Sequence, residues 1–230
     1  MPEKKKVRVK VKKRKLKVKK IIICLLILIL IILAFWYINN LPIKNIYIIG
    51  NNIISDKEII NEAGLSNYPS FIKTTNISIR TKLEKNDYIK KVTIKRGFYN
   101  KIYIYITENK ILCNYNDKLL LEDDKLVENT YGITYLPILI SDISTIEDKF
   151  IKYFSHINND VLLKISEINY VPNDVDNDRF SLLMNDGNLV YITLTKINKI
   201  NKYNSIYSKM EGKKGIIYLD SGDYVEVKEG

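Results

Sequence analysis

The sequence predicts an α+β protein hung from a single N-terminal membrane helix. Three observations carry that prediction. An unbroken apolar run occupies Ile21 to Ile38, the residues after it follow the order strand, helix, helix, strand, strand, and the remainder is dominated by short alternating runs. The division that follows is a basic tail over 1–20, a transmembrane helix over 21–38, a compact βααββ unit over 41–110, and a β-rich domain with flanking helices over 111–230.

The run from Ile21 to Ile38 holds no charge, Pro, Gly or amide. As a helix it is about 27 Å long, close to the hydrocarbon thickness of a bilayer. A helix on the core of a soluble domain shows a polar stripe, and this one is apolar all round. Its flanks are asymmetric. Residues 1–20 carry twelve Lys or Arg against one acid, Glu3, so the tail accounts for the whole net charge of +11. Lys17, Lys19 and Lys20 abut the span, whereas Asn39 to Ile43 carries no charge. Basic residues collect on the cytoplasmic side, so the order is N-terminus in, C-terminus out, with Phe35, Trp36 and Tyr37 at the outer headgroup level. A cleaved signal peptide would need a shorter apolar core and a small-x-small site, so the span reads as an uncleaved anchor of a single-pass type II protein.

The rest of the chain balances its acids and bases, so the basic isoelectric point gives no reason to invoke nucleic acid as a partner. The Lys/Val alternation of the tail is too highly charged for a stable strand and reads as a solvated segment held near anionic lipids. The two cysteines, Cys24 in the span and Cys113 beyond it, cannot pair within one chain, so the outer part folds on its core alone or its compartment does not rely on disulfides.

After the juncture Asn39–Lys44, which contains Pro42, Ile46 and Ile48 mark a strand that runs into the turn Gly50-Asn51-Asn52. Ser55-x-x-Glu58 is a capping box, opening a helix that buries Ile59, Ile60 and Ala63 and stops at Gly64. Thr75 or Asn76 starts a second helix carrying Ile79 and Leu83, ended by Asn86-Asp87. Val92 and Ile94 alternate with Lys91, Thr93 and Lys95, and Ile102, Ile104 and Ile106 alternate with Lys101, Tyr103, Tyr105 and Thr107. These are two strands joined by a hairpin at Gly97–Asn100. The long gap before the first of them leaves room for a helical crossover, which would lay the first and second strands parallel.

The order βααββ just outside a bilayer resembles a POTRA domain, and the residues resemble the bacterial cell-division family FtsQ/DivIB. The likeness rests on Ile46-x-Ile48-x-Gly50-Asn51, then Ser55-x-x-Glu58-Ile59, then Arg96, Phe98 and Asn100 at the hairpin, and Thr107-Glu108 at the end of the third strand. Tyr99, Asn109 and Ile111 depart from the family pattern.

In the remainder, Ile111, Cys113 and Tyr115 share a strand face, and a short run surrounds Pro137. Ser144-x-x-Glu147 reads as another capping box, opening a helix with Ile146, Phe150, Phe154 and Ile157 on one face. Strands follow at Leu163–Val171, Phe180–Met184 and Leu189–Thr193, the last two joined at Asn185-Asp186-Gly187. A helix then carries Ile197, Ile200, Tyr203, Tyr207 and Met210, and the run GIIYLDSGDYVEV near the C-terminus reads as one or two strands. The layout resembles the β domain of the same family, and Tyr218-x-Asp220-Ser221-Gly222-x-x-Val225 resembles its C-terminal strand region.

Signals of chemistry are sparse. His156 is the only histidine, has no second ligand, and falls about 120° from the Phe face of its helix, so it is expected to be solvated. Cys113 reads as a small buried hydrophobe. Asp174-x-Asp176-x-Asp178 fails as a calcium loop because Arg179 and Asn185 stand where Gly and Glu are needed. Asn76-Ile77-Ser78 is a chance glycosylation sequon in a bacterial chain. No cofactor, metal or small-molecule substrate is expected.

The resemblance implies a non-catalytic scaffold of the divisome. It would bind FtsL-like and FtsB/DivIC-like single-span partners outside the membrane, at the division septum, and help control septum formation and septal peptidoglycan synthesis. Strand addition to a free sheet edge is the expected mode, with Ile216, Tyr218, Ser221, Gly222, Val225 and Val227 as the partner-binding residues. The alternatives are a membrane-anchored cell-wall enzyme, for which no His, Cys or Gly constellation speaks, and another POTRA-containing export component, which would usually carry several POTRA copies or a barrel.

Overall fold

The structure, a computed structural model, describes residues 17–227. The basic tail through residue 16, and with it the expected absence of strand there, lies outside the described residues, as do residues 228–230. Helix α1 (Val18–Asn39) buries no residue against the rest of the chain and is long and apolar enough to cross a bilayer once. Its last carbonyls are closed by side chains: Asn39 Nδ2 donates to Phe35 O and Asn40 Nδ2 to Trp36 O, each at 2.8 Å.

The next elements are β1 (Asn45–Ile49), α2 (Asp56–Glu62), α3 (Asn76–Leu83), β2 (Ile89–Gly97) and β3 (Lys101–Glu108). The Ser55 side chain accepts from Glu58 N and the Thr75 side chain from Ser78 N, the two N-caps the sequence indicates. Ile59, Ala63, Ile79 and Leu83 from the helices bury against Val92, Ile94, Ile102, Ile104 and Ile106 from the strands. The sheet order β1-β3-β2 corrects one expectation. The first strand pairs in parallel with the third, not the second. The tight hairpin makes β2 and β3 antiparallel neighbours, so the helical crossover delivers β1 to the far side of β3.

Gly50 and Glu108 hold the distal end of this unit. A Cβ at Gly50 (φ +95°) would lie 2.3 Å from Ile106 O, so only glycine fits the turn. The Glu108 carboxylate then accepts the N–H groups of Asn52, Ile53 and Ile54 at 2.9 to 3.0 Å.

Twelve further strands and α-helices, with one 3₁₀ helix over Leu194–Lys202, complete the described residues. They are β4 (Ile111–Tyr115), β5 (Lys118–Leu121), β6 (Leu126–Val127), β7 (Ile138–Leu139), α4 (Glu147–Phe154), α5 (Asn159–Leu162), β8 (Ile165–Tyr170), β9 (Arg179–Met184), β10 (Leu189–Thr193), α6 (Tyr203–Lys209), β11 (Gly215–Tyr218) and β12 (Tyr224–Val227). The strands form one nine-stranded sheet in the order β12-β11-β10-β9-β8-β7-β4-β5-β6. Helices cover one face: Phe150 and Phe154 of α4 close on Phe180 of β9, with each ring centroid 5.6 Å from it. Adjacent residues of β5 serve two cores, Leu119 and Leu121 packing with the βααββ unit and Leu120 with the helical layer. Lys110 sits at this join, its ammonium donating to Ser155 O (2.9 Å) and Ile157 O just past α4, and burial draws its pKa below the usual lysine value.

Two further expectations change. Ser144 does not cap α4. Its N–H is held by Asp142 Oδ1 at 2.9 Å, a turn closes from Ile143 to Ile146, and the helix starts at Glu147. The segment expected as one helix is a 3₁₀ helix over Leu194–Lys202 followed by α6. Leu194, Ile197, Ile200 and Tyr203 recur every third residue and all are buried. That spacing forms a single stripe only at three residues per turn, which is why an unusually long 3₁₀ run persists.

His156 is exposed and Cys113 is buried, its thiol pushed up to about 12 by burial. Asp176 accepts from Asp178 N and Thr193 Oγ1, and Asp178 pairs with Lys149, so the acidic turn is occupied by its own neighbours. Asn76 takes the Arg96 Nε hydrogen bond at 2.7 Å. Among the described residues no group of three or more His, Cys, Asp or Glu is placed to hold a metal ion.

Candidate partner-binding edge

β12 ends the nine-stranded sheet, and among the described residues nothing pairs with its outer side. The position of this strand is built from buried polar contacts. Tyr203, fully buried, donates its hydroxyl to Asp186 and accepts from Asn188 Nδ2 at 3.0 Å. Burial, and after it Asp186, pushes the Tyr203 phenol well up. Asn188 Oδ1 then accepts the Gly215 N–H at 2.8 Å, so the start of β11 is tied to the β9–β10 turn. Gly215 has no room for a side chain: a Cβ there would stand 2.3 Å from Glu226 O in β12.

The turn from β11 to β12 uses left-handed backbone at Gly222 (φ +92°) and Asp223 (φ +55°). It is pinned from both sides. Arg179 Nε meets Asp220 Oδ2 at 2.7 Å, and Lys199 Nζ meets Asp223 at 2.5 Å. Burial would raise the Asp220 carboxyl, but the Arg179 hydrogen bond and charge outweigh it and hold the group below the usual carboxylate range. On the face away from the helices, Tyr191, Tyr218 and Tyr224 stack across β10, β11 and β12 with centroids 5.5 and 4.6 Å apart. Arg179 lies 4.0 Å above the Tyr191 ring and completes the row.

The register assigns each residue a direction. Leu219 N donates to Tyr191 O and Gly215 N to Asn188, so the odd-numbered residues of this stretch turn their backbone groups toward β10. Ile216 and Tyr218 therefore bond to their partners Glu226 and Tyr224 in β12. By the same alternation the N–H and C=O groups of Val225 and Val227 face outward, away from the sheet. Their side chains lie on the face of Ile217 and Gly215 and are exposed.

Of the six residues singled out in the sequence, Val225 and Val227 thus lie on the open edge, and Ser221 and Gly222 lie in the turn that leads to it. Ile216 and Tyr218 belong to β11, which is paired on both sides and is no edge. Arg179, Tyr191 and Asp220 help build the site and carried no signal as a group, because the parallel crossover from β10 to β11 brings distant segments together. Lys19 and Lys20 lie within the first turn of α1 and Lys17 immediately before it.

Among the described residues, the geometry defines a protein with one helix long and apolar enough to cross a bilayer, followed by an α+β body whose larger sheet ends in β12, unpaired on its outer side. A model of the POTRA domain, FtsQ-type, matches residues 41–109. The cell division protein DivIB of Bacillus subtilis is 30% identical over 194 residues, covering 80% of this chain and 73% of the relative. DivIB of Bacillus anthracis is 29% identical over the same length, with the same shares covered. The major extracytoplasmic domain of the trans isomer of DivIB from Geobacillus stearothermophilus matches 46% of this chain and 96% of that domain, at 22% identity and a TM-score of 0.37. The chain belongs to the DivIB family of cell division proteins, and its βααββ unit is a POTRA domain.

Proposed function

We propose that this protein is a non-catalytic scaffold of the divisome that captures FtsL-like and FtsB/DivIC-like single-span partners by strand addition at β12. α1 holds the body outside the cell membrane with the N-terminus cytoplasmic, and the complex acts at the septum to help control septum formation and septal peptidoglycan synthesis. Family membership supports the division role. The observation that carries the binding mode is the outward-facing backbone of Val225 and Val227 on a strand exposed on both faces. A partner strand laid there gains main-chain hydrogen bonds from those groups and apolar contact from the two valine side chains.

The test is photocrosslinking in dividing cells from position 225, compared with position 126 in β6 at the opposite end of the same sheet. Position 225 should trap a small single-span partner and position 126 should not. Capture at 126 alone, or at neither, refutes the assignment of the edge.

A further inference from the structure

Two exposed tyrosines at the base of the POTRA domain stand on left-handed backbone. Among the described residues, eight non-glycine positions have positive φ. Five are Asn or Asp and one is Glu, while the other two are Tyr68 (φ +46°) and Tyr99 (φ +59°). Tyr99 and Asn100 take this conformation together at the tip of the β2–β3 hairpin, as tight hairpin turns require, which turns the Tyr99 ring outward. Tyr99 is 82% exposed, Tyr68 is 57% exposed, and the neighbouring Phe98 is 90% exposed.

All three lie where the chain leaves the membrane helix. β1 pairs in parallel with β3 from Asn45↔Lys101 onward, so the β2–β3 turn sits at the end of the sheet that α1 enters. Asn100 Nδ2 donates to Pro42 O and Lys44 N donates to Asn100 O, both at 3.0 Å. Pro42 is three residues beyond the end of α1, a reach of about 10 Å at most. Tyr68 shares a small cleft with Lys44 and Asn45. Its segment is fastened to the helix end: Ser70 Oγ donates to Asn39 O at 2.5 Å, Phe71 N to Leu41 O at 2.8 Å, and Lys73 Nζ to Asn40 Oδ1 at 2.9 Å. Arg96 locks the same segment from the sheet side, donating to Phe71 O and Thr74 O.

We propose that this rim, formed by Phe98, Tyr99, Tyr68 and Ile72 with Lys44 and Lys73, rests in the headgroup layer of the leaflet in which α1 ends. It is a second membrane attachment, made by the folded body. Each side of a bilayer offers a polar layer about 5–7 Å thick beyond the hydrocarbon, and with α1 spanning, Phe35, Trp36 and Tyr37 near its C-terminal end would meet the inner boundary of that layer. A rim tied by hydrogen bonds to residues 39–44 is held at that depth. Aromatic rings favour the layer, and lysines beside them meet lipid phosphates. The contact would fix the tilt of the POTRA domain, where a bare span would leave it free to swing.

The inference rests on α1 spanning the bilayer, and one experiment separates the two. Trp36 is the only tryptophan, so the native chain reports on the span by itself. A Trp36→Phe/Phe98→Trp chain moves the probe to the rim, and Trp36→Phe/Lys57→Trp moves it to the exposed start of α2, just past the distal end of β1. Each full chain is reconstituted in phosphatidylcholine/phosphatidylglycerol vesicles with and without lipids brominated near the headgroup. The probe at position 98 should lose as large a share of its emission as Trp36, and the probe at position 57 should lose none. Adding Tyr99→Asp, which suits φ +59° better and leaves the melting temperature unlowered, should at least halve the loss at position 98. An unquenched Trp36 overturns the span and the rim together. A quenched Trp36 with position 98 unquenched, equal quenching at 98 and 57, or a loss at 98 untouched by Tyr99→Asp overturns the rim alone.

Discussion

The outer strand β2 of the POTRA sheet and the outer strand β12 of the nine-stranded sheet are both edges, and they are finished differently. β2 sets exposed Lys90, Lys91 and Lys95 along its length, with Lys90 paired to Glu122 and Lys95 over the Tyr105 ring. Lysine on an edge deters a foreign strand, because pairing would crowd or bury the charge. β12 reads Tyr-Val-Glu-Val, and the two residues whose backbone faces outward are both valine. The contrast teaches that β2 carries a lysine guard that β12 lacks. β1, the uncharged Asn-Ile-Tyr-Ile-Ile at the other edge of the POTRA sheet, lacks it too, so what sets β12 apart is its place in the chain and not bareness alone.

The largest expected effect tests whether the two sheets stand or fall together. Leu121→Ala removes a side chain from the POTRA core and Leu120→Ala one from the helical layer, one residue apart on β5. Each should cost about 2–5 kcal/mol. Because β5 belongs to both cores, either change should lower a single calorimetric transition. Two separate transitions, each moved by only one substitution, would show the sheets to be independent.

Gly215→Ala comes next. Its Cβ would displace β12 by crowding Glu226 O, at about 1–3 kcal/mol. The loss should be confined to the edge, so near-native circular dichroism with abolished partner capture is the expected pair of results.

Val225→Pro aims at the edge alone. Its N–H faces outward, so proline removes a donor for a partner without breaking a bond to β11. Affinity for the partner should fall about tenfold, near 1.4 kcal/mol, with the melting temperature unchanged. Val225→Lys, which gives β12 the finish of β2, should act in the same direction. Unaltered affinity in both variants would remove β12 as the docking strand.

The smallest effect is one of pH. The Asp220 pKa is depressed in the folded chain, so its contribution is fully present above the unfolded value, about 3.9, and is lost as pH falls through the lower folded value. Melting curves from about pH 6 downward should show native protein losing its advantage over Asp220→Asn only in the acid range below about pH 4. An advantage that persists undiminished there would rule out the Arg179 pair as its source.

Elements whose cause is local were legible in the sequence. Ser55, Thr75 and Gly64 mark helix ends because caps act within one turn, and Ile102, Ile104 and Ile106 mark a strand because alternation is a property of a single segment. What escaped was nonlocal. The parallel pairing of β1 with β3 depends on where a crossover lands, and the interior position of Ile216 and Tyr218 depends on β12 folding back beyond them. Ser144 shows the limit of motif spacing, since Asp142 engages its N–H first. The 3₁₀ stripe shows the limit of assuming a period, since apolar residues every third position fit either helix until packing decides.

β12 has exposed residues on both faces and, among the described residues, is joined to the sheet by the β11 ladder on one side only. Such a strand peels open without disturbing the core, so its amides sample solvent at a free energy well below that of global unfolding. The inward amides of Tyr224 and Glu226 should therefore exchange with deuterium far sooner than those of β10, which is buried between neighbours. A partner strand bound there would close the open side and slow that exchange, so under the proposed docking the protection of these four residues would time how long the partner stays.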